Sequence, residues 1–303
     1  MKKLNIIFCI CTLLLCSLLA GCGSKEPAPA ADHKLQVVVT FNAMKEFTQA
    51  VGQDKIHITS LIPDGTEPHD FQPTTKTMQA LSKADILIYN STGMERWVEQ
   101  ATQAAANPKL VIVEAAKGTD RISLTEADEI RAHGQYDPHT WLSLSCAQTE
   151  VKNIAEALAA ADKTNADFYR KNAEEYNQKL QALLAANQKK FAKLEQKDFV
   201  AGHAAFAYLC RDFGLQQQSI EDVFASGEPS AQNLAKLTAY CKEHNVKTIF
   251  VEEAVSPKTS ETLAREVGAT TQEIYTIECS NGEKTYLTRM EENLDAIYKS
   301  LKK

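Results

Sequence analysis

The sequence predicts an α/β fold with two βα domains, each built on a largely parallel four-stranded sheet and joined by one long rigid backbone helix. From Leu35 onward, short β-branched apolar runs alternate with longer amphipathic segments, which is the pattern of repeated βα units. Two such blocks are separated by about thirty residues that lack glycine and proline and are rich in Ala, Leu, Lys, Glu and Gln. That composition favours one continuous helix. A length of 303 residues suits two domains of ordinary size.

The first segment of the chain is typical of an export signal. It opens with two lysines, continues in a largely apolar run from Leu4 to Leu19 and ends in small residues. The apolar run is shorter than the roughly 20 residues that a membrane-spanning helix needs. The residues LAGC, which end at Cys22, resemble the lipobox of bacterial lipoproteins. This resemblance implies that residues 1–21 are removed and that Cys22 carries a lipid.

A flexible linker, residues 22–34, follows the signal segment in this prediction. Its sequence GSKEPAPAADHK is rich in small residues, proline and charge, and it offers almost nothing to bury. Removal of the signal segment takes away two lysines, so the formal charge changes from −6 to −8. An acidic chain argues against a nucleic-acid partner, because no basic stripe remains to neutralise phosphates.

The N-terminal domain, residues 35–165, is predicted to contain four strands with helices between them. The strands are LQVVVTF, KIHITSLIP, DILIYNS and KLVIVEAA, and the helices are NAMKEFTQAVG, TTKTMQALSKA and MERWVEQATQAA. His57 alternates with the apolar residues Ile56 and Ile58 in the second strand. It is therefore predicted to face outward rather than to bind a ligand.

The linking helix, residues 166–197, has apolar residues at helical spacing, so one face is expected to pack on both domains. These residues are Tyr169, Tyr176, Leu180, Leu183, Leu184, Phe191 and Leu194. Dimerisation through a coiled coil is the weaker alternative, because the apolar repeat is brief and irregular. A helix of roughly 30 residues is about 45 Å long. Such a strut disfavours binding by a large hinge closure, and the chain is expected to be a monomer.

The C-terminal domain, residues 198–303, repeats the βα pattern. Its predicted strands are DFVAGH, QQQSIEDV, VKTIFVEE and EIYTIE, and its predicted helices are AAFAYLCRDFG, SAQNLAKLTAYCKEHN, SPKTSETLAREVG and a last helix from Lys284 to Lys302. His244 stands at a helix end, where a partly cationic side chain suits the negative end of the helix dipole.

Four cysteines remain after Cys22, and the sequence leaves their state open. Outside the cytoplasm they can pair as two disulfides in three different ways, and four separate buried thiols are an equal alternative. Their spacings do not resemble a CxxC metal site. These cysteines are Cys146, Cys210, Cys241 and Cys279.

Three histidines stand at junctions between predicted elements, and ligands of parallel βα sheets collect at the carboxyl ends of the strands. His69 follows a predicted strand in the turn PDGTEPHDFQP, His139 lies in the proline-held turn of QYDPHTWLSL, and His203 directly follows DFVAG. Three imidazoles and one carboxylate form a nitrogen-rich site that fits zinc better than magnesium or calcium.

The fourth ligand is predicted to be Glu278, at the end of the last predicted strand. Glu252 and Glu253 compete for this role at the end of VKTIFVEE. Glu253 is expected to support the loop below instead, and Glu252 to alternate to the opposite face. Asp70 and Asp137 are neighbours of two histidines and are candidates to hold the second ring nitrogen of each.

Five motifs, in this order and around the long helix, carry a resemblance to a known family. They are GTEPHDFQPT, YDPHTWLSL, AGHAAFAYLCRDFGL, GEPSAQNLAKL and VEEAVSPKTSETLAREVG. Together they resemble the cluster A-I solute-binding lipoproteins that deliver zinc or manganese to ABC-type importers, over nearly the whole mature chain. The resemblance implies a metal bound between the two domains by His69, His139, His203 and an acidic residue near Glu278. It also implies a membrane permease as partner and an extracytoplasmic position on the cell membrane, held through lipidated Cys22.

The resemblance favours zinc as the transported ion, with manganese as the alternative. Manganese binders of the family typically have a carboxylate where this chain has His203. Zinc-specific relatives often carry a long histidine-rich loop before the second ligand, whereas the segment LTEADEIRAHGQYDPH adds only His133 before His139. A metal-gathering role for that loop is therefore not supported by this sequence.

Two other functions are weaker alternatives. A secreted zinc hydrolase lacks support, because the chain contains neither an HExxH helix motif nor a GxSxG elbow. Four protein ligands would also leave no open position for an activated water, which is the pattern of a carrier rather than an enzyme. A surface adhesin that uses the same fold, with metal as a structural element, is the second alternative.

Overall fold

The computed structural model describes residues 34–225, 229–253, 256–280, 282 and 284–302. The predicted signal segment, Cys22 and the linker up to His33 lie outside the described residues. Both predicted βα domains fall within one compact unit, Leu35–Lys303. None of the helices in the described ranges combines the length and the apolar character that crossing a membrane requires.

The N-terminal half (residues 35–165) contains a parallel sheet in which strand β1 is central and strand β2 lies at one edge. The strand order is β2-β1-β3-β4, and the strands are β1 (Leu35–Val39), β2 (Ile56–Ser60), β3 (Ile86–Tyr89) and β4 (Val111–Glu114). Three helices connect them: α1 (Asn42–Gly52), α2 (Thr75–Leu81) and α3 (Val98–Ala105). His57 is exposed on β2, as predicted.

The expected loop between β4 and His139 is more ordered than the sequence analysis predicts. A short helix, α4 (Ala127–His133), occupies part of the expected loop and ends at Gly134, whose φ of 103° suits glycine. A 3₁₀ turn, Thr140–Leu142, then leads into α5 (Leu144–Ala161). The side chain of Ser143 caps α5 by accepting a hydrogen bond from the Cys146 N–H at 3.0 Å.

The linking helix, α6, covers Ala166–Phe191, 26 residues, or about 39 Å. It ends six residues before the predicted position 197. Phe191 is fully buried against Phe213 and Tyr298. Its carbonyl accepts hydrogen bonds from the Leu194 N–H at 3.1 Å and from Lys197 Nζ. This turn satisfies the helix end and redirects the chain into the next strand.

The C-terminal half (residues 198–302) repeats the arrangement of the first. Its parallel strands have the order β6-β5-β7-β8, with β5 (Asp198–Ala201), β6 (Gln216–Ser219), β7 (Thr248–Glu252) and β8 (Thr270–Ile274). Its helices are α7 (Ala207–Phe213), α8 (Ala231–Glu243), α9 (Lys258–Val267) and α10 (Tyr286–Leu301).

Strand β8 ends earlier than predicted, so Glu278 lies in a turn beyond the strand rather than at its end. The side chain of Asn293 on α10 accepts from the Tyr275 N–H at 2.8 Å and donates to the Tyr275 carbonyl at 2.7 Å. These two bonds replace the sheet partners of Tyr275 and lead the chain off the sheet.

One apolar core joins the two halves. It contains buried residues of the N-terminal sheet, of α6 and of the C-terminal half, including Val39, Leu180, Phe250 and Leu294. The apolar face of α6 therefore packs on both halves, as its helical spacing predicts. The four cysteines within the described residues are free and buried, which supports separate thiols rather than disulfides.

Candidate metal centre

Three histidines and one glutamate meet at the carboxyl ends of the two sheets. They are His69, His139, His203 and Glu278, and one ligand atom from each lies within 4.8 Å of the others. His69 Nε2 and His139 Nε2 are 3.2 Å apart. Glu278 Oε1 lies 3.9 Å from His69 Nε2 and 3.7 Å from His139 Nε2. Their side chains are at most 5% exposed, so the centre is nearly closed to solvent.

The two histidines of the N-terminal half are held by acidic residues two positions earlier in the chain. Asp137 Oδ1 accepts from the His139 N–H and lies 2.9 Å from His139 Nδ1, as predicted for a partner of the second ring nitrogen. At His69 the sequence-based candidate Asp70 is exposed. Glu67 contacts His69 instead, by accepting its backbone N–H at 3.1 Å.

His203 is held from behind by Glu252, at the end of the neighbouring strand β7. Glu252 Oε1 accepts from the His203 N–H at 3.0 Å and lies 3.6 Å from His203 Nδ1. A Cβ at Gly202 would collide with the Glu252 carboxylate, so glycine is needed there. The expectation that Glu252 faces away from the site is wrong. Its carboxylate lies next to His203, because β5 and β7 are adjacent.

Glu253 supports the segment that carries Glu278, which agrees with the expectation that Glu253 supports a loop rather than binds the metal. The Glu253 carboxylate accepts from the backbone N–H groups of Thr276 and Ile277, both at 2.8 Å. Two buried atoms of the centre have no hydrogen-bond partner among the described residues: His203 Nε2 and Glu278 Oε1. An unsatisfied buried polar group costs about 1–3 kcal/mol. A cation coordinated by both atoms would remove this cost.

The electrostatic environment suits a cation. Burial, together with repulsion from neighbouring histidines, holds the pKa values of His69 and His139 well below 6.5, so both rings are neutral and offer lone pairs. Burial and the nearby Glu67 raise the pKa of Glu278 to about 8. Burial lowers the pKa of His203, but Glu252, Glu278 and Glu67 outweigh it and raise the pKa to about 9. A bound cation would displace these protons.

An aromatic contact beside the centre has no clear signal in the sequence. The rings of His133, on α4, and Phe224 are stacked with centroids 3.8 Å apart, and Phe224 lies 5.5 Å from the ring of His69. Phe224 therefore covers one side of the centre. The residues around Phe224 show no sequence periodicity that would predict its position beside the metal centre.

The chain was compared with known families, and the sequence model of one family matches residues 37–300. This family is described as ZnuA, the periplasmic zinc-uptake complex component A. The chain belongs to the ZnuA family. Members of this family are extracytoplasmic solute-binding components of ABC-type zinc importers, so the predicted resemblance and the predicted class of function are confirmed.

Two similar proteins extend the comparison over most of the chain. A putative metal-binding protein of Treponema pallidum is 44% identical over an alignment of 278 positions, and the match covers 89% of this chain and 88% of that protein. The high-affinity zinc uptake system protein ZnuA of Bacillus subtilis is 41% identical over a gapped alignment of 316 positions, and the match covers 99% of this chain and 98% of that protein.

A solved structure confirms the predicted architecture of two α/β domains joined by a long helix. The laminin-binding protein Lmb of Streptococcus agalactiae, described as bifunctional with adhesin and metal-transporting activity, is 32% identical and has a TM-score of 0.81. The match covers 89% of this chain and all of that chain. The ZnuA fold therefore extends over both halves and α6.

Proposed function

We propose that this chain captures one zinc ion between its two halves and delivers it to the permease of an ABC-type importer. The observation that carries this proposal is the nearly closed centre of three imidazoles and one carboxylate, in which two buried atoms have no hydrogen-bond partner within the described part of the chain. Membership of the ZnuA family supports the same function. The manganese and adhesin alternatives have less support.

In this proposal His69, His139 and His203 bind zinc through Nε2, and Glu278 binds it through Oε1. Three nitrogen donors and one oxygen donor suit a tetrahedral zinc ion, whereas manganese prefers oxygen-rich octahedral sites. Four protein ligands leave no open position for an activated water, which fits a carrier without enzymatic activity. The partners of the second ring nitrogens, Asp137 and Glu252, orient two of the imidazoles.

The lipid anchor and the monomeric state complete the proposal. Residues 1–21 act as the signal segment, lipidated Cys22 holds the chain at the outer face of the cell membrane, and residues 22–34 act as a tether. The buried face of α6 packs within the chain, which supports a monomer rather than a coiled-coil dimer.

Zinc titration of the metal-free mature chain tests the proposal. Competition with a chelator of known affinity should reveal one tight zinc site. His203→Ala should lower the zinc affinity at least about 100-fold, because loss of a metal ligand should cost more affinity than loss of a residue that only hydrogen-bonds to a ligand, which costs about 10- to 100-fold. His57→Ala, at an exposed strand position, is the matched control and should bind like the wild type. An unchanged affinity in His203→Ala, or tighter binding of manganese than zinc by the wild type, would contradict the proposal.

A further inference from the structure

Glu278 lies in the turn Thr276–Cys279. The backbone of this turn is hydrogen-bonded to several side chains and to one backbone N–H group. Four carbonyls accept hydrogen bonds: Thr276 from Trp141 Nε1 at 2.7 Å, Ile277 from Asn42 Nδ2 at 3.3 Å, Glu278 from the Asn42 N–H at 3.2 Å, and Cys279 from Arg289 Nη1 at 2.8 Å. Glu253 binds two N–H groups of the same turn.

These contacts come from both halves of the molecule. Asn42 and Trp141 belong to the N-terminal half, which also supplies His69 and His139. Glu253 and Arg289 belong to the C-terminal half. The position of Glu278 is therefore determined by residues of the N-terminal half as well as by residues of the C-terminal half, to which Glu278 belongs.

The backbone of the turn is strained at the residue before Glu278. Ile277 has a φ of 62°, which is rare for a β-branched residue, and its side chain is fully buried. Such a conformation persists only where the surrounding structure determines it, and it is found most often at functional sites. The Ile277 carbonyl accepts a hydrogen bond from Asn42 and the Ile277 N–H donates one to Glu253, and these two bonds supply this constraint.

The two carboxylate oxygens of Glu278 have different environments. Oε2 accepts a hydrogen bond from Thr276 Oγ1 at 3.1 Å. Oε1 has no partner among the described residues and faces the histidines. The hydroxyl of Thr276 therefore restrains the carboxylate so that one oxygen is directed into the centre.

We propose that the turn Thr276–Cys279 is the specificity-determining positioning element of the centre. Held by both halves, it presents Glu278 as a ligand through one oxygen only. A four-donor tetrahedral site then favours zinc, because manganese needs additional oxygen ligands and more freedom in the donor set. This inference rests on the proposed function and adds to it the residues that determine which ion is bound.

Thr276→Val tests the proposal directly, because it removes the hydroxyl and keeps the shape of the side chain. Without this hydrogen bond, Oε2 of Glu278 can also approach a cation. The ratio of zinc affinity to manganese affinity should therefore fall about 10-fold or more, which is the usual effect of removing a residue that hydrogen-bonds to a metal ligand. Thr48→Val is the matched control, since the Thr48 hydroxyl is buried and has no partner among the described residues. A ratio in Thr276→Val equal to that of the control would overturn the proposal.

The role of the two halves is tested by Trp141→Phe and Glu253→Gln. Each variant should speed zinc loss to a chelator about 10- to 100-fold and change the visible spectrum of the cobalt-substituted protein, which reports ligand geometry. The double variant should deviate from the product of the single effects, because both residues hold one turn. Trp97→Phe is the control for the indole, since Trp97 Nε1 has no partner among the described residues.

Glu278→Gln in the same assays separates the two proposals. If the wild type does not bind zinc, or Glu278→Gln binds it equally well, the proposed function is wrong. If Glu278→Gln loses affinity while the Thr276 and Trp141 variants match their controls, only the role of the turn is wrong. Thr276→Val changes little of the packing, so it decides the question even if Trp141→Phe does not fold.

Discussion

Ile277 lies in the left-handed region, with a φ of 62°, immediately before Glu278. For residues with a Cβ this conformation costs about 1–2 kcal/mol, whereas glycine adopts it freely. Its side chain packs in the apolar core that joins the two halves. The stability of the core thus compensates for the strained backbone at the metal centre.

Two substitutions of Ile277 test this strain. An alanine variant is usually more stable than a glycine variant, and at this position we expect the opposite order of stability. Both Ile277→Ala and Ile277→Gly remove the buried side chain, but only glycine relieves the backbone. We expect Ile277→Gly to unfold with a free energy about 1 kcal/mol higher than Ile277→Ala, measured by urea denaturation.

The same pair at Ile154, fully buried within helix α5, is the control for this reversal. There glycine should be the less stable variant, by about 1 kcal/mol. Finding alanine more stable at both positions would show that Ile277 is not strained.

The protonation of Glu278 and His203 predicts how zinc affinity depends on pH. Their pKa values in the metal-free centre, about 8 and about 9, mean that both hold a proton at pH 7. Zinc must displace these protons, so affinity should rise as the pH increases toward 9. The pKa values of His69 and His139 lie well below 6.5, so both rings are already neutral at pH 7 and release no proton when zinc binds.

Calorimetry in buffers of different ionisation enthalpy measures these protons. On the order of one to two protons should be released per zinc ion at pH 7, and fewer above pH 9. Binding without proton release at pH 7 would contradict the protonation states described above.

Among the secondary-structure elements, helix α5 contains a fully buried acid, Glu150. Neither carboxylate oxygen of Glu150 has a hydrogen-bond partner among the described residues, and burial raises the pKa of Glu150 to about 8. The folded chain therefore keeps a proton that the unfolded chain releases near pH 4.5. The stability linked to this proton is fully present below pH 4.5 and is lost as the pH rises through 8.

Glu150→Gln should remove this dependence. One proton corresponds to a slope of about 1.4 kcal/mol per pH unit in the free energy of unfolding. The glutamine variant should show a flatter slope between pH 5 and 8 and should be more stable than the wild type at pH 9. Chemical denaturation of the metal-free protein at several pH values measures this. Exposed Glu174→Gln, on α6, is the control, and equal slopes in all three proteins would refute the role of Glu150.

Most elements could be predicted from the sequence, because each depends on local pattern. The strands and helices follow from short β-branched runs and helical periodicity, and α1 matches its predicted bounds. The features that could not be predicted in this way include the early end of α6, the early end of β8 and the short helix α4. The first two ends are set by contacts with distant side chains, Tyr298 with Phe191 and Asn293 with Tyr275.

The metal centre likewise contains some features that local sequence pattern predicts and others that depend on contacts between distant residues. The three histidines could be predicted because each stands at a junction between elements that the sequence itself marks. The place of Glu252 behind His203 depends on the pairing of β5 with β7, which are about fifty residues apart in the chain. No local pattern shows which strands are neighbours.

For the whole molecule, the shared core and helix α6 predict a small change of shape on zinc binding. Buried residues of both halves pack in one cluster, so a wide opening would expose apolar surface at about 25 cal/mol per Å². The radius of gyration from X-ray scattering should differ by less than about 1 Å between the metal-free and zinc-loaded chains, against about 19 Å expected for a chain of this size. A larger difference would indicate a hinge.

Trp141 gives the molecule a built-in optical reporter of the contact between its halves. The sequence has two tryptophans, so Trp97→Phe would leave Trp141 as the single source of indole emission. Its ring is fully buried and its N–H is bound to Thr276 across the boundary. Separation of the turn from the N-terminal half would bring water to the ring and shift the emission to longer wavelength. An opening of the boundary between the halves can thus be detected in solution without an added dye, and the shared core predicts little shift on zinc loading alone.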